Sequence, residues 1–261
     1  MSRYTLNENP LRVQIRVICA LILRETRVTF GTAQLGYLWA IANPVFGTAI
    51  LVFIFSLISR LPPIGTSFVL FFATGILPYE LYRKLAASLM NVFSANQGLL
   101  AYPLVKELDV VYARSLLIIA TYLLVMIIFF STLVIFGITN WPADLTKILS
   151  AISALALMGL GVGVCNAVLK GLWKAWVQIE AIISRPMFFI SGIFFIPTLF
   201  PPHIRDLLAW NPVLHCIEWF REGYYGSYES VILDKGYIFT WIICVLLAGF
   251  GGERLYRKKM T

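Results

Sequence analysis

Long apolar runs alternate with short charged intervals along this chain. A helix needs about 20 apolar residues to cross the hydrocarbon core of a bilayer. Three runs reach that length without a charge: Tyr37 to Ser59, Ser115 to Gly137 and Ile148 to Leu169. Tyr237 to Gly252 is shorter, and Glu253 to Leu255 at the interface carry it far enough. Two more runs are impure, Ser67 to Asn91 with Glu80, Arg83 and Lys84, and Ala175 to Phe200 with Glu180 and Arg185. The pattern predicts an all-α polytopic membrane protein with six transmembrane helices, at about 37–59, 67–93, 115–137, 148–169, 175–200 and 237–255. They form one transmembrane unit, 35–261, behind an N-terminal segment, 1–34.

Two stretches depart from this rhythm. Leu11, Ile15, Ile18 and Ile22 recur at helical spacing with Arg12, Arg16 and Arg27 on the opposite face. Some 13 residues cannot span a bilayer but can lie in its surface. This interfacial amphipathic helix is either a simple anchor or a contact for a cytoplasmic partner. The interval 201–235 is too apolar for a free loop, with Pro201, Pro202, Pro212, Trp210 and Trp219. Half-crossing backbone survives at membrane depth only when buried in protein or lining a cavity. The expectation is a re-entrant helix pair hinged at Asn211-Pro212, against the alternative of a folded external cap.

Composition agrees with the pattern. Of 261 residues, 59% are hydrophobic and 13% charged, and the mean hydropathy is +0.82. Soluble domains sit near half apolar and a quarter charged, so an ordinary cytosolic enzyme, a disordered chain and a nucleic-acid-binding domain are excluded. The net charge of +8 matters through its placement. Thirteen of the 21 Lys and Arg fall before span one, after spans two and four, or at the C-terminus. The positive-inside rule then puts both termini in the cytoplasm. No cleavable signal peptide is evident, since Arg16 breaks the first apolar stretch.

Catalytic chemistry is missing from the pattern. A phosphate-binding loop needs Gly-Lys-Ser/Thr, and no Lys here precedes Ser or Thr. Gly159, Gly161 and Gly163 lie inside an uncharged span and read as a helix-packing face. The two histidines, His203 and His215, are 12 apart and show no metal spacing. Neither disulfide nor zinc spacing joins Cys19, Cys165, Cys216 and Cys244.

Ionisable residues at membrane depth are expensive and tend to mark polar paths. The helix must run through Pro78, because Ser67 to Leu77 is too short to cross. Glu80 then shares a face with Arg83 and Lys84. One reading is an internal ion pair with snorkelling to headgroups; the other is a cationic patch at the inner mouth of a path for an anionic solute. Arg185 lies nearer the midplane, off-face from Glu180, and is expected to face the path. Tyr82 and Phe189 lie on these same spans, where ring faces suit a sliding sugar chain; an interfacial aromatic belt is the alternative.

Leu23-Arg24-Glu25-Thr26-Arg27, Phe30-Gly31 and Leu35-Gly36-Tyr37-Leu38-Trp39-Ala40-Ile41, ending at Pro44, resemble the opening of ABC-2-type exporter permeases. Gly75-Ile76-Leu77-Pro78 fits the same family. Ala95-Asn96-Gln97-Gly98-Leu99, Val105-Lys106, Ala113-Arg114-Ser115-Leu116, Ser191-Gly192 and Trp210-Asn211-Pro212-Val213-Leu214-His215 with Glu218 and Arg221 resemble its KpsM-like capsular polysaccharide export branch.

That resemblance implies a permease subunit, not an enzyme, in the bacterial inner membrane. It would pair with a second copy of itself and with two separate ATP-binding subunits that hold ATP and magnesium. This chain would carry no cofactor. Family members work with a periplasmic co-polymerase and an outer-membrane channel, and export a lipid-linked, commonly acidic polysaccharide. The resemblance assigns Ala95 to Leu104, including Asn96, Gln97, Gly98, Leu99 and Tyr102, to coupling with the ATPase, helped by Arg24 and Glu25. An acidic polymer is consistent with the charge and ring placement already read, which assigns Arg83, Lys84, Glu80, Tyr82, Arg185 and Phe189 to the substrate path. Trp210, Asn211, Pro212, Glu218 and Arg221 would form the outer re-entrant gate. Lys170 to Ala175 departs from the pattern, since many polysaccharide relatives have an Arg-Asp pair there. Rival readings are an ABC-2 permease for another glycolipid or an O-antigen, and a membrane-embedded glycan- or lipid-modifying enzyme.

Overall fold

The computed structural model describes residues 10–30, 39, 42, 45–51, 53–54, 62–100 and 105–257. These are helical for the most part, with no strand among the described residues. The expected first span lies largely outside them; within it, residues 45–51 are helical.

Helix α1 is Pro10–Phe30. Proline suits a first helical position, where its missing N–H has no partner to lose. The helix is longer than the expected surface segment. Leu21 and Glu25 are buried whereas Ile15 and Leu23 are exposed. Polar partners on later helices hold Glu25, and Val17 and Ile22 pack partly against the core.

Helix α2, Phe68–Leu89, begins at a Ser67 cap and continues through Pro78. Two four-residue helices follow, α3 (Val92–Ala95) and α4 (Gln97–Leu100). Then come α5, Glu107–Ile135, and α6, Leu145–Leu172, whose first amides are capped by Asp144. Helix α7 is Trp176–Ile190, α8 is Pro202–Leu208, α9 is Pro212–Tyr225 and α10 is Lys235–Arg257. Among the described residues, three helical stretches are long and apolar enough to cross a membrane: Glu107–Ile135, Leu145–Leu172 and Lys235–Leu255.

Helix α6 is the centre of the bundle, with α2, α9 and α10 packed around it. Alternate glycines permit this. A Cβ on Gly163 would stand 2.7 Å from Leu89 Cβ of α2, and one on Gly161 would stand 2.7 Å from Val245 Cγ2 of α10. Neighbouring helices can approach so closely only where side chains are small. The helix-packing reading of Gly159 and Gly163 therefore holds, with Gly159 against Leu85.

The expected span at 175–200 is not one helix. Helix α7 ends at Ile190 after 15 residues, about 22 Å at 1.5 Å per residue, short of a hydrocarbon core of about 30 Å. The chain then turns through Ser191 and Gly192, where φ is +77°, and a 3-10 turn follows at Pro197–Leu199. A left-handed glycine stops a helix without steric penalty.

Loops separate cleanly between the two ends of the bundle. At one end Asp144 N–H donates to Gly223 O at 2.8 Å, and Tyr224 OH to Asn140 O at 3.4 Å. At the other, Lys170 Nζ donates to Asn91 Oδ1 at 2.5 Å and to Ser94 Oγ at 3.1 Å.

Candidate functional site

Three polar groupings stand out against this apolar bundle. The first lies where α1, α3 and the start of α5 meet. Arg114 Nη2 donates to both Glu25 oxygens, at 3.0 and 2.9 Å, and Nε adds a third bond at 3.2 Å. Such forked geometry is the strong form of an Arg–carboxylate pair, and here it is largely enclosed. Asn96 Nδ2 donates to Val92 O at 2.9 Å and Glu25 Oε1 at 3.4 Å, and Arg24 Nη1 reaches Asn96 Oδ1 at 2.6 Å. Between the same two helices, Gln14 of α1 bonds Asp109, which also caps α5 by accepting from Lys106 N at 2.9 Å.

The sequence-expected coupling residues Arg24, Glu25 and Asn96 are thus joined in one network. Gln97 and Gly98 lie at its exposed rim and Leu99 is half-buried; Tyr102 lies outside the described residues. Arg114, the residue that organises the network, was not among those expected. Its signal in the sequence was a lone cation just ahead of an apolar run.

The second grouping is on α2. Arg83 donates to Glu80 through Nε at 2.9 Å and Nη2 at 2.7 Å, and the pair is part-exposed. Tyr122 of α5 and Glu180 of α7 lie within electrostatic reach of it. Among the described residues no ion pair joins Lys84, which is exposed on the neighbouring position. Rings continue the same side of the bundle. Tyr79 meets Tyr82 at 6.1 Å and Phe188 at 5.4 Å, and Phe188 meets Phe189 and Phe194. Tyr79 OH also donates to Ser184 O at 3.4 Å. Of the expected path residues, Glu80, Arg83, Tyr82 and Phe189 join this α2–α7 seam. Arg185 is exposed on α7, with no hydrogen bond or ion pair to the seam among the described residues.

The third grouping is deeply buried on α9. Arg221 and Glu218 have no exposed side-chain surface. Their 3.3 Å pairing is only part of the guanidinium's environment. Nη1 also donates to Phe195 O at 3.1 Å and Nη2 to Ile193 O at 3.3 Å, while Cζ stands 4.3 Å above the Phe71 ring. The irregular backbone after α7 leaves carbonyls unpaired, and Arg221 satisfies them. Glu218 Oε2 accepts in turn from Tyr228 OH and from Ser230 Oγ at 2.8 Å. Burial, and then the Glu218 carboxylate, push the Tyr228 phenol well above its usual range, so it stays a donor.

Asn211 caps α9 by accepting from Val213 N at 3.0 Å, and its amide donates to Ser191 Oγ at 3.0 Å and Ile190 O at 3.3 Å. His215 is buried, with Nε2 2.7 Å from Ala209 O and Nδ1 accepting from Asp234 N at 3.1 Å. Both ring nitrogens are occupied, so His215 is a brace for the α8–α9 corner. Trp210 is exposed at that corner. Asn211, Pro212, Glu218 and Arg221 therefore gather around the end of α7. Ser191, from the family-like Ser191-Gly192 motif, completes the grouping with Tyr228 and Ser230, which nothing in the local sequence announced. Among the described residues no cluster of His, Cys, Asp and Glu could hold a metal.

Residues 16–225 match the family model described as ABC-2 type transporter. The chain is 32% identical over 251 residues to the polysialic acid transport protein KpsM of Escherichia coli, covering 95% of each chain. It is 29% identical to the capsule polysaccharide export inner-membrane protein CtrC of Neisseria meningitidis serogroup A, over 95% of this chain and 94% of that one. It is 28% identical to the capsule polysaccharide export inner-membrane protein BexB of Haemophilus influenzae, over 92% and 90%.

Proposed function

The chain belongs to the ABC-2 type transporter family, and from that premise we propose that it is the permease subunit of a capsular polysaccharide exporter in the inner membrane. The observation that carries this reading is the match over 92–95% of the chain to the polysialic acid transport protein KpsM and to the capsule polysaccharide export inner-membrane proteins CtrC and BexB. The polymer is a lipid-linked, acidic glycan. Two copies of the chain form the conduit, and ATP hydrolysis on two separate subunits, which hold ATP and magnesium, drives it.

Six membrane passes with both termini cytoplasmic fit the loop contacts. The intervals that the charge rule puts inside meet at one end of the bundle, through Lys170 with Asn91 and Arg114 with Glu25. Those it puts outside meet at the other, through Asp144 with Gly223. The Arg24–Glu25–Asn96–Arg114 network lies at the cytoplasmic end. It ties α3 and α4 to α1 and α5, so a push by an ATPase on Gln97-Gly98 reaches the membrane helices as a rigid displacement. The Glu80–Arg83 pair and the aromatic seam lie where α2 and α7 would face the conduit, with Lys84 and Arg185 adding positive charge for an acidic chain. At the far end α8 and α9 form the re-entrant gate, with Glu218 and Arg221 anchoring it. A periplasmic co-polymerase and an outer-membrane channel would receive the polymer.

Deleting the gene in its host tests the reading. The polysaccharide should still be made but remain in the cytoplasm, and undiminished capsule on the surface would contradict it.

A further inference from the structure

The end of the bundle that carries the Tyr224–Asn140 contact holds two adjoining cavities with opposite chemistry. One, of about 500 Å³, is lined by Thr66, Thr139, Asn140, Trp141 and Tyr225, among others, and has no charged side chain in its wall. The other, of about 440 Å³, lies between α5 and α6 and is walled by residues such as Ile127, Phe130, Leu149 and Ile152. Trp141 and Tyr224 belong to both walls. Phe130 backs the junction, its ring 5.0 Å from that of Tyr224.

We infer that the two cavities form one binding site for an amphiphile with a sugar headgroup, the chain lying in the α5–α6 groove and the sugar in the polar chamber. Each volume falls in the range of small-molecule sites. The groove is open on two helices long and apolar enough to cross a membrane, so an acyl chain reaches it sideways from lipid. Ile127 and Leu149 are exposed at its rim, as a lateral entrance requires.

The headgroup follows from what the chamber offers. Hydroxyls, an amide and an indole face suit a neutral polyol, whose C–H faces pack on rings and whose hydroxyls exchange hydrogen bonds. A phosphate would need a cation or free helix amides. The first amides of α6 are already taken by Asp144, at 2.9 and 3.1 Å, and Lys147 is paired with Glu222 at 3.5 Å. An anionic headgroup therefore finds no spare positive charge there. The site stands apart from the α2–α7 seam and does not depend on the transport reading.

The test uses the full chain in phosphatidylcholine vesicles and a dodecyl maltoside bearing a diazirine on its alkyl chain, with adducts mapped by mass spectrometry. Adducts should concentrate at Ile127 and Leu149 over α10 positions such as Ile243 and Leu247, and unlabelled dodecyl maltoside should compete them away. Leu149→Trp, or Ile127→Trp where the first does not fold, should abolish groove labelling and leave α10 labelling unchanged. Even labelling along α5, α6 and α10 would overturn the site. Equal labelling of the groove by a diazirine phosphatidylglycerol would overturn the headgroup assignment. Neither failure touches the export reading, which the gene deletion tests separately.

Discussion

Arg221 and Glu218 sit three residues apart on α9 with no exposed side-chain surface, and the guanidinium serves the carboxylate and two carbonyls of the α7–α8 connection at once. A buried charge stays tolerable only while its partners remain. The pair is therefore a tether between α9 and a largely irregular backbone stretch after α7.

Removing one half of the tether strands the other. Arg221→Met should cost about 3–5 kcal/mol of stability, and Glu218→Gln somewhat less because Tyr228 and Ser230 can still donate to the amide oxygen. Urea unfolding in detergent should show the double variant less damaged than the sum of the two singles. Additive losses would mean that the two residues act separately.

Close helix approach makes a second expectation. Gly163→Ala places a methyl 2.7 Å from Leu89 Cβ, so α2 and α6 must separate. Overpacking of this kind costs about 1–3 kcal/mol, and the melting temperature in detergent should fall. Gly98→Ala, where nothing lies within 4 Å, is the control and should melt as the parent does.

How much of this was legible in the sequence divides along physical lines. The spans expected at 115–137 and 148–169, found as Glu107–Ile135 and Leu145–Leu172, the packing role of Gly159 and Gly163 and the Glu80–Arg83 pairing follow from hydropathy, residue size and helical spacing, which are local. The break after Ile190 was missed because the apolar run continues through Phe194 and Phe195, and hydropathy cannot see a left-handed Gly192. The partners of Glu25 lie 71 and 89 residues away, and those of Arg221 on the α7–α8 connection 26 and 28 away. No periodicity encodes such contacts.

The cytoplasmic network carries a functional expectation. Glu25→Gln weakens the fork on Arg114, and Arg114→Met removes it. Each should lower export and loosen the hold on the ATP-binding subunit, read as less ATPase co-purified per permease. Arg114→Lys keeps the charge but not the fork and should fall between parent and Arg114→Met. Full coupling in all three would remove the network from the coupling path.

Arg83 and Lys84 separate binding from stability. The Glu80–Arg83 pair is half-exposed, and exposed pairs contribute about 0–1 kcal/mol. Arg83→Ala and Lys84→Ala should therefore insert and melt nearly as the parent does while surface polysaccharide declines. Unchanged export by both would show that their charge does not face the polymer.

Reconstituted transport bears most directly on what the molecule does. Inverted membrane vesicles holding this chain and its ATP-binding subunit are given lipid-linked acidic polysaccharide, and the lumen is assayed for polymer protected from added glycosidase. Protected polymer should accumulate only with hydrolysable ATP and only when this chain is present. Protection that is independent of ATP, or equal in vesicles lacking the chain, would contradict the account.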